Sequence, residues 1–114
     1  MNTKIIGDAG EKLAQKFLKK NKYKILETNY KNKIGEIDII CFDKKEKTTV
    51  FVEVKTKTGT MFGLPREMVD DRKQRKIRKV ATLYLMQNGL MDSLVRFDVV
   101  EILGENINHF KNAF

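Results

Sequence analysis

The chain carries one cysteine, one proline, one histidine and no tryptophan among its 114 residues. A single cysteine excludes an intramolecular disulfide, and one cysteine with one histidine excludes the usual four-ligand zinc site. With one proline and 7 glycines, collagenous and low-complexity architectures are excluded too. Long apolar runs are also missing. The opening MNTKIIGDAGEK holds only Ile5 and Ile6 side by side, too short for a signal peptide. Nothing approaches the ~18 consecutive apolar residues of a membrane span. These absences predict a soluble, cytoplasmic protein with no membrane partner. No glycine-rich loop ending in Gly-Lys-Ser/Thr is present, which argues against an ATP-driven machine.

Charge of one sign is abundant. Lys plus Arg number 23 against 15 for Asp plus Glu, a net +8, with an isoelectric point near 9.6. A small basic domain of this kind meets a polyanion or carries its charge for solubility alone. The chain is 41% hydrophobic and 33% charged, a globular balance. Its length suits a single domain over residues 1–114, able to bury a core without staples.

Periodicity predicts the elements. A first helix runs from about Gly7 to Lys20, with Gly10, Leu13 and Phe17 on one stripe and Gly7, Glu11, Ala14 and Leu18 beside it. Lys24 to Tyr30 reads as a strand. Ile37, Ile39 and Cys41 then alternate with Glu36, Asp38, Ile40 and Phe42, and Val50, Val52 and Val54 alternate with Phe51, Glu53 and Lys55. The polar turn Lys44-Lys45-Glu46-Lys47 joins the two runs into a hairpin. A loop, TGTMFGLP, follows. Asp70 or Asp71 caps a second helix that places Gln74, Ile77, Val80, Ala81, Tyr84 and Leu85 on one face and stops at Asn88-Gly89. Leu94 to Ile102 is a fourth strand, with Val95, Phe97 and Val99 on one side, and the tail from Asn106 offers an extra C-terminal edge strand. The order α-β-β-β-α-β, with a helix between the third and fourth strands, implies a parallel pair in a mixed β-sheet flanked by helices, an α/β fold.

If residues 44–47 turn the hairpin, residue 43 faces 48, Asp38 faces Glu53 and Glu36 faces Lys55, all four on one face. Like charges directly opposed, with Cβ atoms about 4.5–5.5 Å apart, are destabilising. A divalent cation would reconcile them, since Mg²⁺ takes oxygen ligands and commonly uses one or two carboxylates plus a substrate phosphate. Lys55 would then sit beside the metal as a point charge for a phosphate. The same pattern also describes a solvated strand face in which Lys55 neutralises Glu36. Ile40 and Phe51 share that face, so it reads as partly covered, where acids without a function are costly.

Gly35-Glu36-Ile37-Asp38 followed by Phe51-Val52-Glu53-Val54-Lys55 resembles the Asp…Glu-x-Lys signature of the PD-(D/E)XK nuclease superfamily. Over essentially its full length the chain resembles the UPF0102 (YraN-like) family, related to archaeal Holliday-junction resolvases. The resemblance lies in GDAGEKLAQKFL, GEIDII, FVEVKTK, KQRKIRKVATLYL, RFDVVEI and the closing NAF. It implies a restriction-endonuclease-like core. It implies Asp38 and Glu53 as ligands of Mg²⁺ or Mn²⁺, the Val54 carbonyl as a third protein ligand, Lys55 as the catalytic lysine and Glu11 as the acid that completes the metal site. As a bare sequence feature, Glu11 also reads as a helix-dipole partner. Glu36 is an auxiliary ligand or the salt partner of Lys55. Gln74 matches a polar superfamily position and either orients the site or is a satisfied core amide. The superfamily's proline is absent, since Ile37 precedes Asp38, and Lys57 stands where the family often has arginine, which keeps the charge but weakens bidentate phosphate contact.

On the second helix Arg72, Lys76 and Lys79, with Arg75 and Arg78 beside them, form a basic face, read as a phosphate track or a solvated surface. Phe62, with Met61, offers an aromatic for stacking on bases or a small satellite core. Cys41 and His109 read as structural. Together these features predict a metal-dependent DNA phosphodiesterase, endonuclease-like and acting on structured or branched DNA. The alternative is a nucleic-acid-binding adaptor that keeps the nuclease fold without catalysis. A homodimer is compatible with cutting two strands.

Overall fold

The computed structural model describes residues 3–57 and 69–114, with side chains from residue 8, and the described residues form two helices and five strands. In chain order they are α1 (Thr3–Lys20), β1 (Tyr23–Lys31), β2 (Glu36–Asp43), β3 (Thr48–Lys57), α2 (Asp71–Gln87), β4 (Leu94–Leu103) and β5 (Asn106–Phe110). The sheet order is β1-β2-β3-β4-β5. Only β3 and β4 run parallel, joined through the segment that contains α2; the other pairs are antiparallel. The fold is α/β with a mixed sheet, compatible with a restriction-endonuclease-like core. Neither described helix is long and apolar enough to cross a membrane.

The β2–β3 hairpin has the register expected from its turn, with Asp43↔Thr48, Cys41↔Val50 and Ile39↔Val52 paired. Asp43 shapes that turn, its Oδ1 accepting the backbone N–H groups of Lys45 and Glu46 at 3.0 and 3.2 Å. β3 is the central strand, covered on both faces, which is why Val50, Phe51 and Val52 are all buried. On one face Ile40, Phe51 and Val99 pack under Ile77, Val80, Ala81 and Tyr84 of α2. On the other, Ile39, Cys41, Val50, Val52, Val100 and Ile102 pack under Ala14 and Leu18 of α1. Burial pushes the Cys41 thiol up to about 12, in keeping with a structural role.

α2 is capped as expected: Asp70 Oδ1 accepts the Lys73 N–H at 2.8 Å. At its far end Gly89 takes a φ of 65°, the left-handed conformation that closes helices. α1 begins at Thr3, earlier than the expected Gly7. Its buried stripe is Gly10, Ala14 and Leu18, whereas Leu13 is 42% exposed. The helix meets the sheet through Gly10, Ala14 and Leu18, with Phe17 partly buried against the same core, and Leu13 is left facing outward. Val95 is likewise 37% exposed, as is its neighbour Leu94 at the start of β4, at 65%. The C-terminal edge strand forms, as β5.

Candidate functional site

The β2–β3 ladder stops at Ile39↔Val52. One residue further on, the Val54 N–H donates to Asp38 Oδ2 at 2.8 Å, so a side chain takes the place of the next backbone acceptor and the strands part. The alternation of β2 breaks at the same point. Ile39 packs on the α1 side and Ile37 on the α2 side, although two residues apart. Across the β1 ladder, Asn29 lies between the pairs Thr28↔Ile39 and Tyr30↔Ile37 and has a φ of 50°. This kink sets Asp38 in the crevice where the strands part, within reach of Glu11 from α1 and Lys73 from α2, rather than squarely on the α2 face that strict alternation implies.

Around Asp38 gather residues from four further elements. Glu11 comes from α1, interacts with the Asp38 carboxyl and hydrogen-bonds the Asn29 side chain. Gly10 makes this position available: a Cβ there would lie 2.1 Å from Thr56 Oγ1 of β3, so only glycine lets α1 settle so close. From β3, Glu53 is 4% exposed and couples to Asp38 through its charge, and Lys55 is half-buried alongside. From the first turn of α2, Lys73 places Nζ 3.1 Å from Glu53 Oε2.

The electrostatics follow from burial and crowding. Asp38 is held above the usual carboxylate range by its burial, with the charge of Glu36 adding to the shift and the Val54 N–H and Lys73 opposing it. Glu53 is raised by burial and then by the charge of Asp38. Glu11 is raised by burial and again by Asp38. Burial, together with the neighbouring Lys73 ammonium, lowers Lys55. Against its own burial, Lys73 is raised by Glu53. Three acids that resist ionising together and two ammonium groups therefore share one crevice, with a donor set of hard oxygens suited to a hard divalent cation. Among the described residues no three Asp, Glu, His or Cys side chains stand close enough to cage a metal by themselves. Mg²⁺ does not require that, because it retains waters and shares its sphere with substrate oxygens.

The crevice therefore brings together Asp38, Glu53, Lys55 and Glu11, with Val54 joining through its N–H. Glu36 stands apart. It is exposed, paired in register with Lys31 of β1, and forms no ion pair with Lys55 among the described residues. Gln74 is half-buried and spent locally, its Nε2 donating to the Val69 carbonyl at 2.7 Å. Lys57 lies 3.8 Å from the buried Glu101. On α2 Arg72, Arg75, Lys76, Arg78 and Lys79 are all exposed, and the Arg78 guanidinium in addition stacks 4.7 Å from the centre of the Phe97 ring. Phe62 and Met61 lie outside the described residues. Sequence reasoning passed over Lys73, one cation in a run of them, and Asn29, whose left-handed backbone leaves no mark beyond asparagine's tolerance of it.

A sequence profile described as "Uncharacterised protein family UPF0102" matches residues 10–102. The chain belongs to the UPF0102 family. It is 46% identical over 121 residues to a UPF0102 protein of Caldanaerobacter subterraneus subsp. tengcongensis, covering 100% of this chain and 98% of the relative. It is 48% identical over 116 residues to one from Clostridioides difficile, covering 100% of both chains. A UPF0102 protein of Caldicellulosiruptor bescii is 50% identical over 121 residues, again with 100% of both chains covered. The profile match spans every member of the crevice: Glu11, Asn29, Asp38, Glu53, Lys55 and Lys73.

A second polar cluster occupies the opposite end of the sheet. Arg96 on β4 is bidentate to Asp98, at 2.8 and 2.9 Å, and also binds Asp43, Glu46 and the Tyr23 hydroxyl. His109 Nε2 lies 2.6 Å from Asp98 Oδ2, and the Asn112 N–H donates to Oδ1. The single histidine thus bonds Asp98 through Nε2.

Proposed function

We propose that this UPF0102 protein is a Mg²⁺- or Mn²⁺-dependent phosphodiesterase that hydrolyses DNA as an endonuclease, on structured or branched forms. The observation that carries this reading is the convergence of Glu11, Asp38, Glu53 and Lys55, from α1, β2 and β3, in a crevice where the hairpin ladder ends. Asp38 and Glu53, helped by Glu11, would hold the metal, with the Val54 carbonyl as a further ligand. When bound, the ion polarises the scissile phosphate and eases loss of a proton from the attacking water. Lys55, at hand beside Glu53, orients that water and neutralises charge building on the phosphorus centre. The exposed cations of α2, Arg72, Arg75, Lys76 and Lys79, carry the phosphate backbone toward the crevice.

The test is incubation of the purified protein with labelled single-stranded, duplex, flap and four-way-junction DNA in Mg²⁺, Mn²⁺ or EDTA. Cutting that requires the metal supports the phosphodiesterase and identifies its preferred DNA form. A second reading, a nucleic-acid-binding adaptor without catalysis, is favoured by the lack of a ready three-acid cage among the described residues. It predicts salt-sensitive binding with no cutting in any divalent metal.

A further inference from the structure

The first turn of α2 carries a cation into the acid crevice that the hairpin motif does not contain. Lys73 Nζ sits 3.1 Å from Glu53 Oε2, and its ammonium stands beside that of Lys55. Three features separate this pair from an ordinary surface salt bridge. The Glu53 side chain is 5% exposed and the Lys73 side chain 46%, so the acid is fixed in the sheet while the lysine reaches in from solvent on a stem that can leave. Two local influences oppose the charge that Glu53 and Asp38 favour. A positive charge in the first turn faces the positive end of the helix dipole, and a second ammonium stands beside it. Anchoring α2 does not require such a charge, since Ile77, Val80, Ala81 and Tyr84 already bury that helix on the sheet. Finally, the Lys73 charge acts on Asp38 as well as on Glu53, serving both acids of the pair.

We propose that Lys73 is the exchangeable counter-cation of the Asp38–Glu53 pair: it neutralises the acids in the metal-free protein, gives way to the divalent ion, and then turns to the phosphodiester as a second lysine beside Lys55. The inference rests on the metal-dependent reading above, but it can fail separately.

The test is calorimetric titration of Mn²⁺, without nucleic acid, into wild type, Lys73→Gln and Lys73→Met, with thermal melting of each as a control on folding. Removing the competing ammonium is expected to tighten Mn²⁺ binding several-fold in both variants, whereas a purely structural tether would leave it unchanged or weaken it. In parallel, the lysine side-chain resonances of the unmutated protein are followed by NMR during Mg²⁺ titration. The Lys73 signal should shift as the ion saturates the site, and a signal that stays fixed overturns the proposal whatever the variants do. If wild type binds Mn²⁺ and the variants bind no tighter, the counter-cation role falls alone. If neither wild type nor variants bind Mn²⁺, whether alone or with duplex DNA present, the metal-dependent reading falls with it. A further arm uses duplex DNA in Ca²⁺, where Lys73→Gln should bind several-fold more weakly than wild type; equal binding removes the phosphate role.

Discussion

The Val54 amide donates to Asp38 Oδ2 at 2.8 Å, one step past the last ladder pair of the hairpin. The bond gives one residue two duties. Asp38 braces the parting strands by accepting a backbone N–H, and the same bond fixes how its carboxylate faces Glu53 and Glu11.

The two duties separate on substitution. Asp38→Asn keeps an oxygen for the Val54 N–H and removes a charge that burial disfavours, so it should abolish cleavage and raise stability at neutral pH by about 1 kcal/mol. An acid whose folded-state pKa is raised binds protons more tightly in the folded form, so its cost to stability appears as pH rises through that raised pKa. The gain in Asp38→Asn should therefore be present at pH 8, fade as pH falls through the raised value, and be gone below pH ~4. Asp38→Ala loses the acceptor too and should gain less or lose about 1 kcal/mol. Melting curves of the three proteins across pH check this.

Gly10 allows the approach that delivers Glu11. Gly10→Ala drives a Cβ to 2.1 Å from Thr56 Oγ1, and the resulting shift of α1 should cost about 1–3 kcal/mol and reduce cleavage as Glu11 moves off Asp38. Thr56→Ala removes the clashing oxygen, so the double variant should recover most of both losses. A double-mutant cycle with no coupling would refute the close approach.

Arg96 joins Asp43, Asp98, Glu46 and Tyr23 at the far end of the sheet. Arg96→Ala leaves buried carboxylates uncompensated and should destabilise the protein by about 3–5 kcal/mol. In wild type, against their burial, Asp98 is lowered by His109 and Arg96, and Asp43 by the turn amides and Arg96. Such acids add stability above the unfolded carboxylate range, and that stability is lost as pH falls through their depressed folded-state values. Wild-type melting temperature should therefore drop on acidification below pH ~4. Chemical denaturation of both proteins between pH 2 and 8 checks the magnitude and the sign.

The exposed basic residues of α2 divide by what they touch. Replacing exposed Arg72, Arg75, Lys76 or Lys79 with alanine should weaken DNA binding and flatten its salt dependence, by about 0.9 in log–log slope for each duplex phosphate no longer neutralised. Arg78 is stacked on Phe97 and lies 6.0 Å from the Phe114 ring centre, so Arg78→Ala should lower the melting temperature and leave the slope alone. Binding isotherms over a salt series separate the two classes.

What was legible in the sequence was whatever obeys a period. The polar turn at 44–47 determined the hairpin register, and with it the proximity of Asp38 and Glu53. The α2 face from Ile77 to Leu85 followed from helical spacing, and the parallel β3–β4 pair from the helix between them. Breaks in the period were opaque. Nothing in the run Glu27-Thr28-Asn29-Tyr30 announces a left-handed residue inside a strand, so the kink at Asp38 and the detachment of Glu36 from Lys55 could not be foreseen. Lys73 is chemically indistinguishable from Arg72 and Lys76 until the helix phase and the depth of Glu53 are known. Leu13 misled because α1 meets the sheet through Gly10, Ala14 and Leu18, which leaves Leu13 facing outward.

The most direct test of the central claim is the rate of cleavage of a labelled DNA substrate in Mn²⁺ by wild type, Asp38→Ala and Lys55→Ala, with binding measured separately in EDTA. Metal-dependent cutting by wild type, abolished in both variants while binding persists, is the predicted result. Cutting that survives in Asp38→Ala, or wild-type binding with no cutting in any divalent metal, would contradict it.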